Sequence, residues 1–134
     1  MVPAIAPVIA RGLLLLGLLL LPGAAAAQGP RLVVPPGFAI DVFADNVGSV
    51  RFMAVDPAGT LLVSEPSSGR VLALPDQNGD GRADAVRVVV DGLDRPHGLA
   101  FRDGALYVAE NARVLRLHYD PAAMKATRPT AVVK

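Results

Sequence analysis

The 134-residue sequence contains no cysteine and no tryptophan, and aromatic residues make up 4% of it. Without a thiol there is no disulfide, no thiolate nucleophile and no cysteine-ligated metal. An excess of charge of one sign is missing as well. Thirteen Lys and Arg stand against 12 Asp and Glu, spread along the chain rather than gathered into a stripe. Phosphate backbones are bound through clustered cations, so nucleic acid is not an expected partner. No phosphate-binding loop or nucleophile motif occurs.

The one long apolar run, Leu13 to Leu21, is too short for a comfortable membrane span. Arg11 precedes it, Pro22-Gly23 ends it, and small residues follow at Ala25 and Ala27. That order is the layout of a cleaved leader, so residues 1–27 are expected to be a signal peptide, with an uncleaved anchor as the alternative. The mature chain would be periplasmic or secreted, close to neutral, and without a membrane span. Residues 28–37 form a Pro/Gly-punctuated lead-in, in which Pro35-Pro36-Gly37 opposes a helix.

What the remainder does contain is a repeat. Gly59, Leu61, Val63 and Glu65 recur as Gly104, Leu106, Val108 and Glu110, and Arg70, Val71 and Leu74 recur as Arg113, Val114 and Leu117. A period in the 40s, built from short strands and glycine turns, is the spacing of β-propeller blades. Strands are expected at Phe52–Val55, Leu61–Ser64, Val71–Leu74 and Ala85–Val90. A second set is expected at Leu99–Phe101, Ala105–Ala109, Val114–His118 and Ala131–Val133. Asp56-Pro57-Ala58-Gly59 has type I turn chemistry, and Asp103-Gly104 is a hairpin signal. Alternation in Phe38, Ile40 and Val42 predicts one further edge strand. The fold class is therefore all-β, with residues 38–134 forming about two blades of an incomplete propeller. A propeller closes with about four to eight blades. Two would leave apolar faces to be covered by remaining blades or by other copies of the chain, which is expected to be the N-terminal part of a longer protein.

Three features carry possible chemistry. Asp76, Asn78, Asp80 and Asp84 stand at relative positions 1, 3, 5 and 9 around Gly81, the opening of an EF-hand-like calcium loop. Position 12 is Arg87 rather than the bidentate Glu, and no helices flank the loop. The alternatives are a structural Ca²⁺ held between two strands and a polar turn with no ion. His97, between Pro96 and Gly98 at the inner end of a blade, is the candidate catalytic residue, as a general base or a donor to a ligand in the channel. With no partner carboxylate or second histidine beside it in sequence, a turn-capping or rim-packing role weighs more than catalysis. His118 is expected on the surface. Glu65 and Glu110 occupy equivalent positions, and the repetition argues for an architectural task, binding a backbone N–H or Arg70 and Arg113, rather than paired acid-base catalysis.

The stretches PPGFAIDVFADNV, RFMAVDPAGTLLVSE, GRVLALPDQNGDGRAD and VVDGLDRPHGLAFRDGALYVAEN resemble the N-terminal blades of the glucose/sorbosone dehydrogenase family. The resemblance runs from Leu32 to Tyr119. It implies an exported six-bladed propeller that uses pyrroloquinoline quinone (PQQ) and Ca²⁺ to oxidise a sugar or its aldehyde by hydride transfer, assisted by a histidine base. In that family the base lies in a later Gly-His-x-x-Arg stretch, which this sequence does not contain. On this resemblance the chain alone would be inactive. The rival function is a non-enzymatic, NHL- or lactonase-like propeller segment that binds a partner or assembles with other chains.

Overall fold

The structure, a computed structural model, describes residues 32–133. The expected signal peptide, 1–27, and the first part of the lead-in lie outside the described residues. Two units divide the chain, Met1–Gly37 and Phe38–Lys134, and the second carries every strand described. In the first unit the described residues hold a turn at Pro36-Gly37 and no strand.

Short β-branched and leucine-rich runs punctuated by glycine turns give eight strands in two four-stranded antiparallel sheets. The first sheet runs in order through β1 (Met53–Val55), β2 (Leu61–Glu65), β3 (Arg70–Leu74) and β4 (Arg87–Val90). The second runs in order through β5 (Leu99–Arg102), β6 (Ala105–Ala109), β7 (Val114–Asp120) and β8 (Lys125–Val133). Each is a simple meander. β1 lies beside β5, and β4 beside β8, so the sheets stack with like strands together, as neighbouring propeller blades do.

Period-2 alternation sends one face of each sheet into a common core. Leu62, Val71, Ala73 and Val89 from the first blade meet Leu106, Val108, Leu115, Leu117 and Tyr119 from the second. On the other face of the first blade, Val63, Leu72 and Leu74 form a second cluster. Burial on both sides explains why Leu61–Glu65 reads as an unbroken apolar run up to its Ser and Glu.

The turns follow their chemistry. In the β1–β2 turn the Gly59 N–H donates to the Asp56 carbonyl at 3.0 Å, as the type I pattern requires. At the β5–β6 hairpin, Asp103 and Gly104 both adopt positive φ, 50° and 70°, matching the right-handed twist of the strands they join. The step in the repeat offset also has a structural cause. The β2–β3 connection has four residues, Pro66–Gly69, whereas β6 and β7 are joined through Glu110–Arg113 with Glu110 and Arg113 themselves paired by an N–H to carbonyl bond. The tighter second connection shifts everything after it.

Two expectations are corrected. Among the described residues the segment 38–43 pairs with no strand, and it exposes Phe38, Ile40 and Val42. The chain makes its contact just after them: Phe43, Ala44 and Val47, each partly buried, pack on the Val63–Leu72–Leu74 cluster, and the Ala83 N–H donates to the Phe43 carbonyl at 2.7 Å. Alternation was present, but the available surface was the face of the first blade rather than a sheet edge. The last strand is also far longer than Ala131–Val133. Pro129 does not end it, because the register steps from His118↔Thr127 to Arg116↔Thr130 and leaves an extra residue on β8. A bulge accepts the missing N–H of a proline.

Candidate functional site

The register fixes which loops share an end of the blades. Glu65 pairs with Arg70 and Leu61 with Leu74, so the Pro66–Gly69 turn and the β3–β4 loop lie at opposite ends of the first sheet. The segments that lead into β1 and β5 arrive at the Pro66–Gly69 end. Four loops therefore meet there: residues 48–52, 66–69, 94–98 and 110–113.

Both blades fasten that end with the same device. Glu65 is fully buried, and its carboxylate accepts the Gly48 N–H at 2.5 Å through Oε1 and binds the Arg70 Nε through Oε2. Buried Glu110 accepts the Asp94 N–H at 2.6 Å through Oε1 and binds the Arg113 Nε through Oε2. The architectural task expected from repetition is thus what both glutamates do, and each buried charge is fully paired. Close approach requires glycine at position 48, since a Cβ there would run into the Glu65 carboxylate. Gly69, at φ +63°, is held as tightly: a Cβ would sit 2.5 Å from the Leu93 carbonyl oxygen, and the Leu93 N–H donates to the Gly69 carbonyl at 2.9 Å.

The Arg70 hydrogen bond, reinforced by the Gly48 N–H, holds the Glu65 carboxyl below the usual carboxylate range against the opposing effect of burial. A carboxyl whose pKa falls on folding contributes stability above its unfolded pKa and loses it as pH drops through the folded one. Acid titration is therefore expected to lower the unfolding midpoint of the wild-type protein from the carboxylate range downward. A Glu65→Gln variant is expected to show a shallower acid slope, read by denaturant unfolding at a series of pH values.

The clamped loops line an open groove whose two lobes measure about 470 and 310 Å³. Ser49, Val50, Arg51, Pro66, Ser67 and Arg95 surround the first lobe, and Arg51, Pro66, Arg95, His97 and Asn111 the second. Two guanidiniums are shared by both, and none of the described residues lining them is acidic. Arg95 takes φ +49° immediately before Pro96, a conformation that non-glycine residues rarely hold.

His97 is half-buried in this groove. Its backbone is tied at both ends: the N–H donates to the Ala109 carbonyl at 2.9 Å, and the carbonyl accepts the hydroxyl of fully buried Ser64 at 2.8 Å. A carbonyl can only accept, so the 3.2 Å contact between its Nε2 and the Glu110 carbonyl makes Nε2 the protonated nitrogen. In the neutral ring Nδ1 is then the basic atom. His97 thus both packs at the rim and faces the groove. Among the described residues no carboxylate side chain is hydrogen-bonded to it.

Asp76, Asn78, Asp80 and Asp84 come together in the β3–β4 loop, at the other end of the blades. Their oxygens face the loop's own amides. Asp76 accepts the N–H groups of Gly79, Asp80 and Gly81, Asn78 accepts that of Asp80, Asp80 that of Arg82, and Asp84 that of Gln77. Among the described residues no three Asp, Glu or His side chains converge as a metal shell. The loop holds its shape through these bonds, and an ion bound there would be remote from the groove.

Arg51, Arg95, Ser49 and Asn111 were not singled out from the sequence. A signal existed: extending the repeat upstream sets Asp45, Val47, Ser49 and Arg51 against Asp91, Leu93, Arg95 and His97.

A family model described as TrAA12-like matches residues 32–134. The chain belongs to the TrAA12-like family. No curated protein matches it. Among solved structures, the TrAA12-like chain is similar to the holo form of the PQQ domain of pyranose dehydrogenase from Coprinopsis cinerea, with a TM-score of 0.56 and 22% identity. The match covers 66% of the TrAA12-like chain and 22% of the other, so this chain spans about a fifth of that domain's length. At such identity the likeness shows the fold. The family match agrees with the resemblance read from the sequence, and the structural likeness agrees with the expected fold, part of a propeller.

Proposed function

We propose that this chain forms the opening blades of an exported, PQQ-dependent sugar dehydrogenase, and that the Arg51–Arg95–His97 groove holds part of the quinone. The observation that supports this most is the groove's charge. PQQ is a flat tricarboxylate, and two guanidiniums with an imidazole and an amide, none opposed by an acidic lining residue, are a donor set that fits it. When bound, PQQ would accept a hydride from the sugar carbon that is oxidised.

The chain's own residues bind and orient. Arg51 and Arg95 would take carboxylates by paired N–H donation, and Asn111 and the Ser49 and Ser67 hydroxyls would fix the plane of the ring system. His97 has its Nε2 proton committed to the Glu110 carbonyl, so any proton it takes up in catalysis would arrive at Nδ1. On the far face of the first blade, Met53 and Val55 remain exposed, and a further blade would cover them.

Titration of the full-length protein with PQQ, followed by a change in quinone absorbance, is expected to saturate and to be weakened by salt. Addition of an aldose and a dye acceptor to the loaded protein is expected to give turnover. A protein that leaves PQQ free at high micromolar concentration would remove the assignment. Among the described residues no helix is long and apolar enough to cross a membrane. Fractionation of expressing cells, with the protein outside the cytoplasm, tests the expected export.

A further inference from the structure

Glu110 touches the 94–97 loop at two points. Its side chain accepts the Asp94 N–H, and its main-chain carbonyl accepts the His97 Nε2–H. Between those points lies Arg95, in the left-handed region and in front of a proline, where the chain would not rest by itself. Glu110 is in turn anchored by the Arg113 Nε and by its own N–H on the Arg113 carbonyl. Ser64 reaches across from the first blade to hold the His97 carbonyl. Nothing in this set faces the groove except Arg95 and His97, so the others act on the site only through the loop's shape. The same logic recurs one blade earlier, where Glu65 holds Gly48 and the groove residues Ser49 and Arg51 follow.

We infer that Glu110 is a positioning residue for the groove: by clamping the Asp94 amide and the His97 ring it keeps Arg95 in its left-handed conformation and fixes the His97 tautomer, and Glu65 does the corresponding work for Arg51. The inference deepens the quinone-site reading and rests on it for the ligand, but not for the geometry.

The chain has two histidines, so the ring nitrogens can be followed one by one in long-range ¹⁵N–¹H correlation spectra, with exposed His118 as the internal reference. In the wild-type protein His97 is expected in the Nε2–H tautomer. Glu110→Ala keeps the main-chain carbonyl but frees the Asp94 amide, so the 94–97 loop is expected to shift off that carbonyl, converting His97 to a tautomer mixture while His118 stays unchanged and weakening PQQ binding about tenfold, the usual scale for a lost supporting partner. Glu110→Gln, which keeps an acceptor for the Asp94 N–H, is expected to restore most of both. Arg113→Gln, which leaves the Glu110 side chain in place for the Asp94 N–H, is expected to lower the melting temperature and to move both readouts less than Glu110→Ala does. If Glu110→Ala does not fold, Glu110→Asp replaces it, since it keeps the charge and withdraws the oxygens by one methylene. An unchanged His97 tautomer in the folded variant would overturn the inference, as would an Arg113→Gln shift as large as that of the Glu110 variant. A wild-type protein that ignores PQQ would count against the quinone site alone, because the tautomer still reports on the clamp.

Discussion

Replacing Arg51 and Arg95 together by alanine is expected to weaken PQQ binding by at least about a hundredfold. A hydrogen bond to a charged group contributes about 1.5–3 kcal/mol. Two lost together are worth about 3–6 kcal/mol, and each 1.4 kcal/mol is a factor of ten in affinity. Both residues are exposed and neither belongs to a core cluster, so the unfolding midpoint should hardly move. Single replacement by lysine is expected to recover only part of the affinity, because an ammonium keeps the charge but not the two-pronged geometry. Equal affinity in the double variant and the wild type, measured at low salt, would place the quinone elsewhere.

The second large effect concerns how the blades are joined. Asp56, in the β1–β2 turn, is 4% exposed and accepts three hydrogen bonds: the Ala58 N–H at 2.8 Å, the Thr60 N–H at 2.7 Å and the Tyr119 hydroxyl at 2.7 Å. The last of these crosses from one blade to the next. Asp56→Ala releases two turn amides and a buried phenol at once and is expected to cost about 3–5 kcal/mol in denaturant unfolding. Tyr119→Phe keeps the ring, including its edge-to-face contact with Phe101 at 5.0 Å, and leaves the carboxylate two of its three donors. Its cost should be about 1–2 kcal/mol. Because the two changes remove one shared bond, the double variant should fall short of their sum. Burial and the neighbouring Asp56 carboxylate both raise the Tyr119 phenol pKa, so this contribution fades only as pH climbs beyond the ordinary tyrosine range. If Asp56→Ala cost no more than Tyr119→Phe, the turn amides would not depend on the carboxylate.

Much of the fold was legible because its determinants are local. Alternating apolar residues and Asp-Gly or Pro-Gly turns specify a strand and its reversal within a few residues, and a repeated unit writes that information twice. For the same reason the two glutamates could be given their task before any distance was known: each lies a few residues from the arginine it binds. The Phe38–Val42 segment shows the limit of such patterns. A period of 2 says that a segment is extended and two-faced, but not which face meets protein or whether a neighbour is there to pair with. The length of β8 shows another, since proline is incompatible with a regular ladder and compatible with a bulge, and the bulge is set by the partner strand.

The sequence by itself determined the all-β blade repeat, the positions of most strands, the paired glutamate–arginine clamps and the family. Only the tertiary structure decided that Arg51, Arg95, His97 and Asn111 line one groove, that Asp56 holds Tyr119 across the blade interface, and that the acidic loop closes on its own amides at the opposite end. The physical reason is reach. Strand period and turn chemistry act over a few residues, whereas the groove and the interface are made by residues about sixty positions apart, brought together by how one sheet stacks on the next.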